Sequence, residues 1–259
     1  MGVVLEARDL NKTFGAVTAA NNINVRIDQD SVVGLIGSNG AGKTTFINMV
    51  TGYLKPTSGS IRYLDRDITG MSPRQITQLG ICRSFQIPQL FGNLSVIENL
   101  QVGVGIASRS PRGGPDARMQ EAHEIETLIE RFNLGGYRHH RAGLLPEGIR
   151  KLLDIAMAVA GRPQVLLLDE PTSGVSADEK FRLMDMVMSA LKTQGVTVLF
   201  VEHDMEIVSR YTHRILAFYE GRIIADGEPA VVLRETEVRR YVIGEHGHSA
   251  AAAGENNDD

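Results

Sequence analysis

A glycine-rich stretch at residues 37–44 has the pattern that many proteins use to bind a polyphosphate. Its sequence, GSNGAGKT, matches G-x-x-x-x-G-K-S/T at every defined position. The glycines let consecutive backbone N–H groups turn inward around an anion, and a helix that starts there points its positive dipole end at the same anion. The candidate nucleotide-binding residues are those of this stretch and the residue after it: Gly37, Ser38, Asn39, Gly40, Ala41, Gly42, Lys43, Thr44 and Thr45.

The flanks of this loop agree with that chemistry. An apolar run at residues 32–36 leads in, and a helix-compatible run at residues 44–50 leads out. A strand before the loop and a helix after it are the context in which this pattern binds phosphate. The sequence therefore predicts that the chain binds a nucleoside triphosphate.

Two adjacent carboxylates, Asp169 and Glu170, follow the apolar residues 166–168. They are expected at the C-terminal end of a buried strand, where open α/β sheets bind their ligands. Asp169 can hold Mg²⁺ together with the Thr44 hydroxyl, and Glu170 can orient or deprotonate an attacking water. A polar turn that merely ends a strand would explain this pair alone, but it would not explain the pair together with a phosphate-binding loop.

Gln86 and His203 also come just after apolar segments. In a site with Mg²⁺ and a γ-phosphate, the Gln86 amide oxygen can reach the metal or the water, and His203 can donate a hydrogen bond to the phosphate oxygens. Either residue alone would more often be structural. Their order relative to the other motifs makes both of them candidate catalytic residues beside Glu170, and it makes Gln86 a candidate metal ligand beside Thr44 and Asp169.

The composition limits the possible classes of protein. At 259 residues and 42% hydrophobic content, the chain can bury the core of one large domain or of one domain with a subdomain. The formal net charge of -4 gives no broad basic surface, so we expect no nucleic-acid partner. The single cysteine, Cys82, cannot form an internal disulfide, which fits a reducing compartment. No apolar run approaches the roughly 20 residues that cross a bilayer, so we expect the chain itself to be soluble.

Hydrophobic periodicity predicts the elements that position these residues. Strand-helix-strand units recur, which implies a parallel sheet and the α/β class. The Pro, Gly and Arg content of residues 108–115 predicts an exposed loop, and residues 244–259 are expected to form a disordered tail. The predicted strands span residues 3–10, 23–27, 31–36, 60–64, 165–168 and 197–201, and the predicted helices span residues 44–50, 116–132, 152–160 and 181–191. The helix at residues 116–132 is expected to be amphipathic, with Ile125, Leu128, Ile129 and Phe132 on its apolar face.

The order of these motifs resembles the nucleotide-binding subunit of ATP-binding cassette (ABC) transporters. The resemblance covers residues 5–244 and includes Phe14, an aromatic at the place where the family stacks one on adenine. It implies a P-loop NTPase cassette, with a mainly parallel sheet core, an N-terminal antiparallel β part and an inserted helical subdomain. It also implies ATP and Mg²⁺ as cofactors and a Phe14 ring stacked on adenine, with a core phenylalanine as the alternative. The implied units are a nucleotide-binding core at residues 1–86 and 161–243 and a helical subdomain with the signature region at residues 87–160.

Four phrases are more closely similar to the ATP-binding subunits of branched-chain amino acid importers and their relatives for other small solutes. They are RSFQ at residues 83–86, PQLF at 88–91, LSVIENL at 94–100 and VEHDM at 201–205. This similarity implies ATP hydrolysis that powers uptake through a membrane permease at the cytoplasmic face of the inner membrane. The implied partners are integral-membrane permease subunits, a second ATP-binding subunit and, indirectly, a solute-binding protein. Urea, aromatic or other small organic solutes stay open as alternatives to branched-chain amino acids.

The segment that aligns with the family signature Leu-Ser-Gly-Gly-Gln departs from that pattern. Pro146, Glu147 and Ile149 replace the serine, a glycine and the glutamine, and Ser176 stands where an acidic residue is common. Pro146 offers neither a hydroxyl nor an N–H, and Glu147 brings negative charge toward a phosphate held by the opposite subunit. We expect this chain to pair with a different ATP-binding subunit that has an intact signature. A homodimer that relies on Gly148 and the helix dipole is the alternative.

Residues 86–94 are expected to relay closure of the two subunits to the permease. Pro88, Leu90 and Phe91 could dock on a permease helix or be buried within the chain. Two readings from other classes are a soluble ABC ATPase of DNA maintenance or translation and a P-loop metabolic kinase. The first usually carries long coiled coils, two cassettes or basic extensions, and the second gives no joint explanation of the Asp-Glu pair, Gln86 and His203.

Overall fold

The computed structural model describes residues 2–107, 115–192 and 195–244. The predicted loop at residues 108–115 and the predicted tail at residues 244–259 lie outside the described residues, apart from one terminal residue of each. In the described ranges the strands are β1 Val3–Phe14, β2 Val17–Asp28, β3 Val32–Ile36, β4 Ser58–Tyr63, β5 Arg66–Asp67, β6 Ile81–Ser84, β7 Val165–Asp169, β8 Thr197–Val201, β9 Arg214–Tyr219 and β10 Arg222–Gly227. The helices are α1 Lys43–Val50, α2 Pro73–Leu79, α3 Val96–Ala107, α4 Pro115–Arg131, α5 Glu147–Val159, α6 Ala177–Lys192, α7 Met205–Tyr211, α8 Pro229–Val232 and α9 Thr236–Val238, the last followed by a π-helical turn at Arg239–Ile243.

The strands form two sheets. One has the order β10-β9-β3-β8-β7-β6 and is parallel except for β10, which runs antiparallel to β9. The other is an antiparallel sheet with the order β2-β1-β4-β5. This architecture confirms the predicted α/β cassette with a mainly parallel core and an N-terminal antiparallel part.

The parallel sheet is covered on both faces, which explains the unbroken apolar runs of its central strands. Every residue of β3, β7 and β8 is buried. Because side chains alternate along a strand, Leu166 and Leu168 pack on the face covered by α3 to α6, whereas Val165 and Leu167 pack on the face covered by α1 and the antiparallel sheet. The two hydrophobic layers thus share one rigid sheet.

Three helices, α3, α4 and α5, come between β6 and β7 in the chain. The predicted apolar face of α4 is confirmed, because Ile125, Leu128 and Ile129 are buried with Phe132 just beyond the helix. These helices join the same apolar layer as one face of the parallel sheet. The division into a core and a helical subdomain stays a prediction.

Several element boundaries differ from those predicted. Strand β1 was expected to end at residue 10 but continues to Phe14, because register shifts in its pairing with β2 let it extend past Leu10. Helix α5 begins at Glu147 rather than at residue 152, directly after Pro146, so the signature segment from Glu147 onward forms its first turns. Among the described residues, no helix is long and apolar enough to cross a membrane.

The segment after β6 separates the two alternatives, docking and burial, that were open for its apolar residues. Pro88 is buried within the chain, and Leu90 is half-buried against the apolar layer of the helices. Pro88 is therefore covered by the chain itself, and Leu90 is covered in part. Phe91 and Ile87 are exposed.

Candidate active site

The phosphate loop leaves β3 and closes around the ammonium of Lys43. Lys43 Nζ donates to the carbonyl oxygens of Gly37 at 2.6 Å and Ser38 at 3.1 Å. The residue is only 6% exposed, and this burial lowers the pKa of Lys43, opposed by the negative charges of Glu170 and Asp169. A desolvated ammonium inside the loop is suited to pair with a phosphate anion.

The glycines of the loop are required by close backbone approaches. A Cβ on Gly37 would lie 2.6 Å from the Phe218 carbonyl oxygen, and one on Gly42 would lie 2.8 Å from that of Ala19. Both glycines have positive φ, 152° and 107°. Helix α1 begins directly after Gly42, so its first N–H groups face the loop. This cradle of backbone donors, helix start and buried lysine fits a polyphosphate.

The carboxylate predicted to hold Mg²⁺, Asp169, is the last residue of β7 and is paired with Arg83 of β6. Arg83 Nη2 lies 2.5 Å from Asp169 Oδ2, and its Nη1 donates at 2.6 Å to Oδ1 of Asn48 on α1. The ion pair is almost fully buried, with side-chain exposures of 8% and 9%. Together with the Thr44 hydroxyl and the Gln86 amide, Asp169 offers the oxygen ligands that Mg²⁺ prefers.

The second carboxylate, Glu170, lies between the two polar residues predicted to work with it. Gln86 Nε2 donates to Glu170 Oε2 at 2.8 Å, and His203 Nε2 lies 3.1 Å from Glu170 Oε1. Gln86, Glu170 and His203 follow the adjacent strands β6, β7 and β8, and the phosphate loop follows β3 next to β8. The carboxyl ends of parallel strands therefore bring these predicted site residues to one edge of the sheet.

Phe14 ends β1, in the hairpin whose second strand reaches the phosphate loop at Ala19. Its ring is 51% exposed, and Lys12 Nζ lies 5.0 Å from the ring centroid. The alternative of a core phenylalanine is wrong. An exposed ring on this hairpin is available for stacking on a base, and the adenine contact stays a prediction.

The degenerate signature starts α5 without a side-chain cap. Pro146 is the capping residue, and the following Glu147 lies 3.4 Å from Arg150, with Oε2 nearest to Nη1. A Cβ on Gly174, in the turn after Glu170, would lie 3.6 Å from Glu147 Cγ. In that turn Ser176 Oγ donates to Glu179 at 2.9 Å. An acidic side chain therefore lies at the N-terminus of α5.

Sequence reasoning missed several charged residues that hold this site together. Glu202 is buried and accepts from the Thr172 N–H at 2.9 Å and hydroxyl at 2.8 Å; burial raises the pKa of its carboxyl against those hydrogen bonds. Arg83, Lys151 and Asp154 are the others. For Arg83 and Asp154 the available signal was a charged residue inside a mostly apolar segment, since such residues are rarely buried unless they are paired. Lys151 and Glu202 each stand next to another polar residue, so no such signal marks them in the sequence.

Comparison with known proteins agrees with this geometry. The family model described as ABC transporter matches residues 20–173. The high-affinity branched-chain amino acid transport ATP-binding protein LivG of Escherichia coli K12 is 33% identical over 251 residues, which cover 93% of this chain and 98% of LivG. BraF of Pseudomonas aeruginosa, with the same description, is 33% identical over 254 residues, covering 93% of this chain and 98% of BraF.

A solved structure gives the same result at the level of the fold. The ADP conformation of MJ1267, an ATP-binding cassette of an ABC transporter, superposes with a TM-score of 0.82 at 30% sequence identity, covering 95% of this chain and 100% of that one. The family model spans more than half of this chain, and the relatives are similar along almost all of it. The chain therefore belongs to the ATP-binding cassettes of ABC transporters, the nucleotide-binding ATPases of that family.

Proposed function

We propose that this chain powers the uptake of branched-chain amino acids, or of a related small solute, as the ATP-hydrolysing subunit of an ABC importer. The observation that carries the catalytic part is Glu170 held between Gln86 and His203 at the sheet edge that also carries the phosphate loop. The solute class is supported by the names of LivG and BraF. Urea or aromatic solutes are the alternatives within the same role.

The residues of the site take distinct roles in this proposal. Lys43 and the N–H groups of the phosphate loop bind the β- and γ-phosphates, and Phe14 stacks on the adenine. Mg²⁺, held by Thr44, Asp169 and Gln86, would neutralise charge on those phosphates. Glu170 takes a proton from the attacking water.

His203 completes the site from the neighbouring strand. Its Nε2 lies within hydrogen-bond distance of Glu170 and, when ATP is bound, donates to an oxygen of the γ-phosphate. Gln86 holds the other oxygen of Glu170, so the carboxylate has a fixed direction before the water arrives. Acid-base catalysis of this kind contributes roughly 10²–10⁴ in rate.

Cassettes of this family dimerise and work with membrane permeases. For this chain we propose a heterodimer with a second ATP-binding subunit, docked on integral-membrane permease subunits at the cytoplasmic face of the membrane, with a solute-binding protein as an indirect partner. The phosphate loop and Glu170 of this chain would face the intact signature of the partner subunit. The degenerate start of α5 would face the partner's nucleotide.

Two substitutions test the catalytic assignment. Lys43→Ala should abolish binding of Mg·ATP in calorimetry, whereas Glu170→Gln should retain binding and lose at least about 100-fold in turnover. Glu206→Gln, an exposed glutamate on α7, is the control and should behave like the unmodified chain. Unaltered ATP affinity in the Lys43 variant, or wild-type turnover in the Glu170 variant, would contradict the assignment.

The solute is tested on the assembled importer. The complex isolated through a tag on this chain and reconstituted with its binding protein should show ATPase stimulation by leucine, isoleucine or valine. Stimulation by urea or by phenylalanine alone would reassign the solute and leave the ATPase role intact. Co-purification of this chain with no membrane protein would instead favour a soluble ABC ATPase.

A further inference from the structure

One buried cation near the site has no role in the catalysis described above. Lys151 lies in the second turn of α5 and is 3% exposed. Its Nζ donates to the backbone carbonyl of Glu170 at 2.9 Å and lies 3.4 Å from the carbonyl of Gln86. Burial lowers the pKa of the Lys151 ammonium, opposed by four carboxylates that face it, those of Glu147, Glu202, Glu170 and Asp154.

The carbonyl that Lys151 contacts belongs to a residue in an unusual backbone conformation. Glu170 has a φ of +49°, the left-handed region, which is strained for a residue that carries a side chain. The Glu170 N–H donates to the Val201 carbonyl at 3.0 Å, and its own carbonyl also accepts from the Ser173 N–H at 3.1 Å. The direction of the carboxylate depends on this conformer, and Lys151 supplies the charged hydrogen bond that helps to keep it.

One turn further along α5, Asp154 holds the other side of the Gln86 segment. Its Oδ2 accepts from Ser84 Oγ at 2.6 Å and the Phe85 N–H at 3.2 Å, and its Oδ1 accepts from the Gln89 N–H at 2.8 Å. Asp154 is buried, and that burial raises the pKa of its carboxyl against these hydrogen bonds. Through Asp154 and Lys151, α5 therefore forms hydrogen bonds with the segment before and after Gln86 and with the backbone of Glu170.

We infer that Lys151 is a positioning residue for hydrolysis, which ties the signature helix to the backbone of Glu170 and Gln86. Lys151 lies one turn after Pro146 and Glu147, at the end of α5 that faces the partner's nucleotide in the proposed heterodimer. A shift of α5 is thereby transmitted to the carboxylate that acts on this chain's own ATP. The inference rests on the proposed role of Glu170.

A purely structural explanation is that Lys151 only balances the charge of the buried carboxylates Asp154 and Glu202. That role would make Lys151 matter for folding, and through folding for nucleotide binding and turnover alike. A positioning role has a different consequence, because only the catalytic step needs the Glu170 carboxylate to point in one direction. The two explanations therefore predict different effects: a positioning role lowers kcat with little change in KM, whereas a purely structural role affects nucleotide binding and turnover alike.

The test compares Lys151→Met, Lys151→Arg and a matched control, Lys192→Met at the exposed end of α6. Turnover is measured on the full-length chain in the complex isolated through a tag on it, with calorimetry of Mg·ATP and thermal unfolding of the same preparations. Lys151→Met should lower kcat roughly 10- to 100-fold while KM and ATP affinity change less than about threefold. Lys151→Arg, which keeps charged donors, should recover most of that loss, and Lys192→Met should lose nothing.

Wild-type kcat in Lys151→Met overturns the inference. So does a loss of kcat that comes with an equal loss of ATP affinity and is not restored by arginine. If the methionine variant does not fold, Lys151→Gln takes its place, since it keeps a donor without the charge. Turnover in Glu170→Gln reports on the proposed function separately: an inactive Glu170 variant beside a fully active Lys151 variant leaves that function standing and removes only Lys151 from it.

Discussion

Arg83 and Asp169 form a buried ion pair in which one member is the proposed metal ligand. Removing two charges from water costs several kcal/mol for each ion, so such a pair is poor evidence for added stability. Its effect is geometric. Arg83 is held between Asn48 and Asp169, and it thereby fixes one oxygen of the carboxylate relative to α1 and the phosphate loop.

Loss of one partner of this pair should be costly. Arg83→Met leaves the Asp169 carboxylate buried without its counter-ion, and breaking a buried pair in this way costs about 3–5 kcal/mol. We expect that loss in urea unfolding of the full chain without nucleotide. Arg210→Met is the matched control, since Arg210 pairs with Asp185 at 3.2 Å and both side chains are more than half exposed, and it should cost about 0–1 kcal/mol. Equal losses in the two variants would show that burial does not govern the energy of this pair.

Cys82 offers a second prediction at this scale, because burial raises the pKa of its thiol from 9.0 to about 11. A raised folded pKa means that the neutral thiol favours folding; this stability is complete below the unfolded pKa and is lost as the pH rises from about 9 to 11. At pH 8 the thiolate fraction is about 100-fold lower in the folded chain than in the unfolded one. Alkylation by iodoacetamide at pH 8 should therefore be at least about 100-fold slower for the folded chain than in urea.

Cys82→Ser provides the blank for that reaction, since the chain has a single cysteine. Similar alkylation rates with and without urea would mean that the thiol is accessible in the folded chain.

At the scale of elements, the sequence was most informative where a local apolar pattern corresponded to a buried surface. The apolar runs of β3, β7 and β8 and the apolar face of α4 each predicted a buried surface, and the structure buries them. Strand β6 gave no such signal, because its four residues include Arg83 and Ser84. Those two side chains lie on opposite faces of the sheet and bind residues far along the chain, Asp169 and Asp154. Long-range pairs of this kind do not show in local periodicity.

In the candidate site, too, some residues could be predicted from the local sequence and others could not. The residues at strand ends were predictable from type and spacing, because parallel strands deliver their carboxyl ends to one edge. The residues that orient them were not predictable from the sequence. Lys151 and Asp154 lie in α5, whose first turns do not match the family signature. The left-handed conformation of Glu170 is likewise set by contacts with Val201, Ser173 and Lys151 rather than by its own residue type.

Gly34 tests how closely β3 and α7 pack. A Cβ on Gly34 would lie 2.9 Å from Thr212 Cγ2 and 3.0 Å from Val208 Cγ1, both on stiff β-branched side chains. Gly34→Ala should therefore force these elements apart and lower stability by about 1–3 kcal/mol in thermal or urea unfolding. Gly105→Ala in α3 is the control, since a Cβ there meets no described atom within 4 Å, and alanine in a helix should be neutral or stabilising. A neutral Gly34 variant would mean that α7 has room to move away from the sheet.

At the scale of the whole molecule, the proposed heterodimer assigns this chain one complete half of a nucleotide site and one altered half. The phosphate loop, Asp169, Glu170 and His203 meet at one sheet edge, whereas the signature end of α5 presents Pro146 and Glu147. An acidic residue in the first turn favours the helix itself, because it complements the positive end of the helix dipole. In the proposed heterodimer the same charge would oppose a phosphate held by the other subunit. The departure is thus compatible with a stable chain, and in the proposed heterodimer it would weaken only the site shared with the partner.

This asymmetry predicts that restoring the signature would let two copies of the chain work together. The variant Pro146→Ser, Glu147→Gly returns the hydroxyl and removes the charge, so a second copy's γ-phosphate would meet the helix N-terminus without repulsion. With Mg·ATP, the purified variant should form dimers in sedimentation and gain at least about tenfold in turnover over the unmodified chain, equivalent to about 1.4 kcal/mol. The same variant carrying Glu170→Gln is the control for hydrolysis and should still dimerise but not turn over. If the unmodified chain alone already dimerises with ATP and matches the turnover of the complete complex, the chain is a competent homodimer, and Glu147 does not weaken the site that it faces.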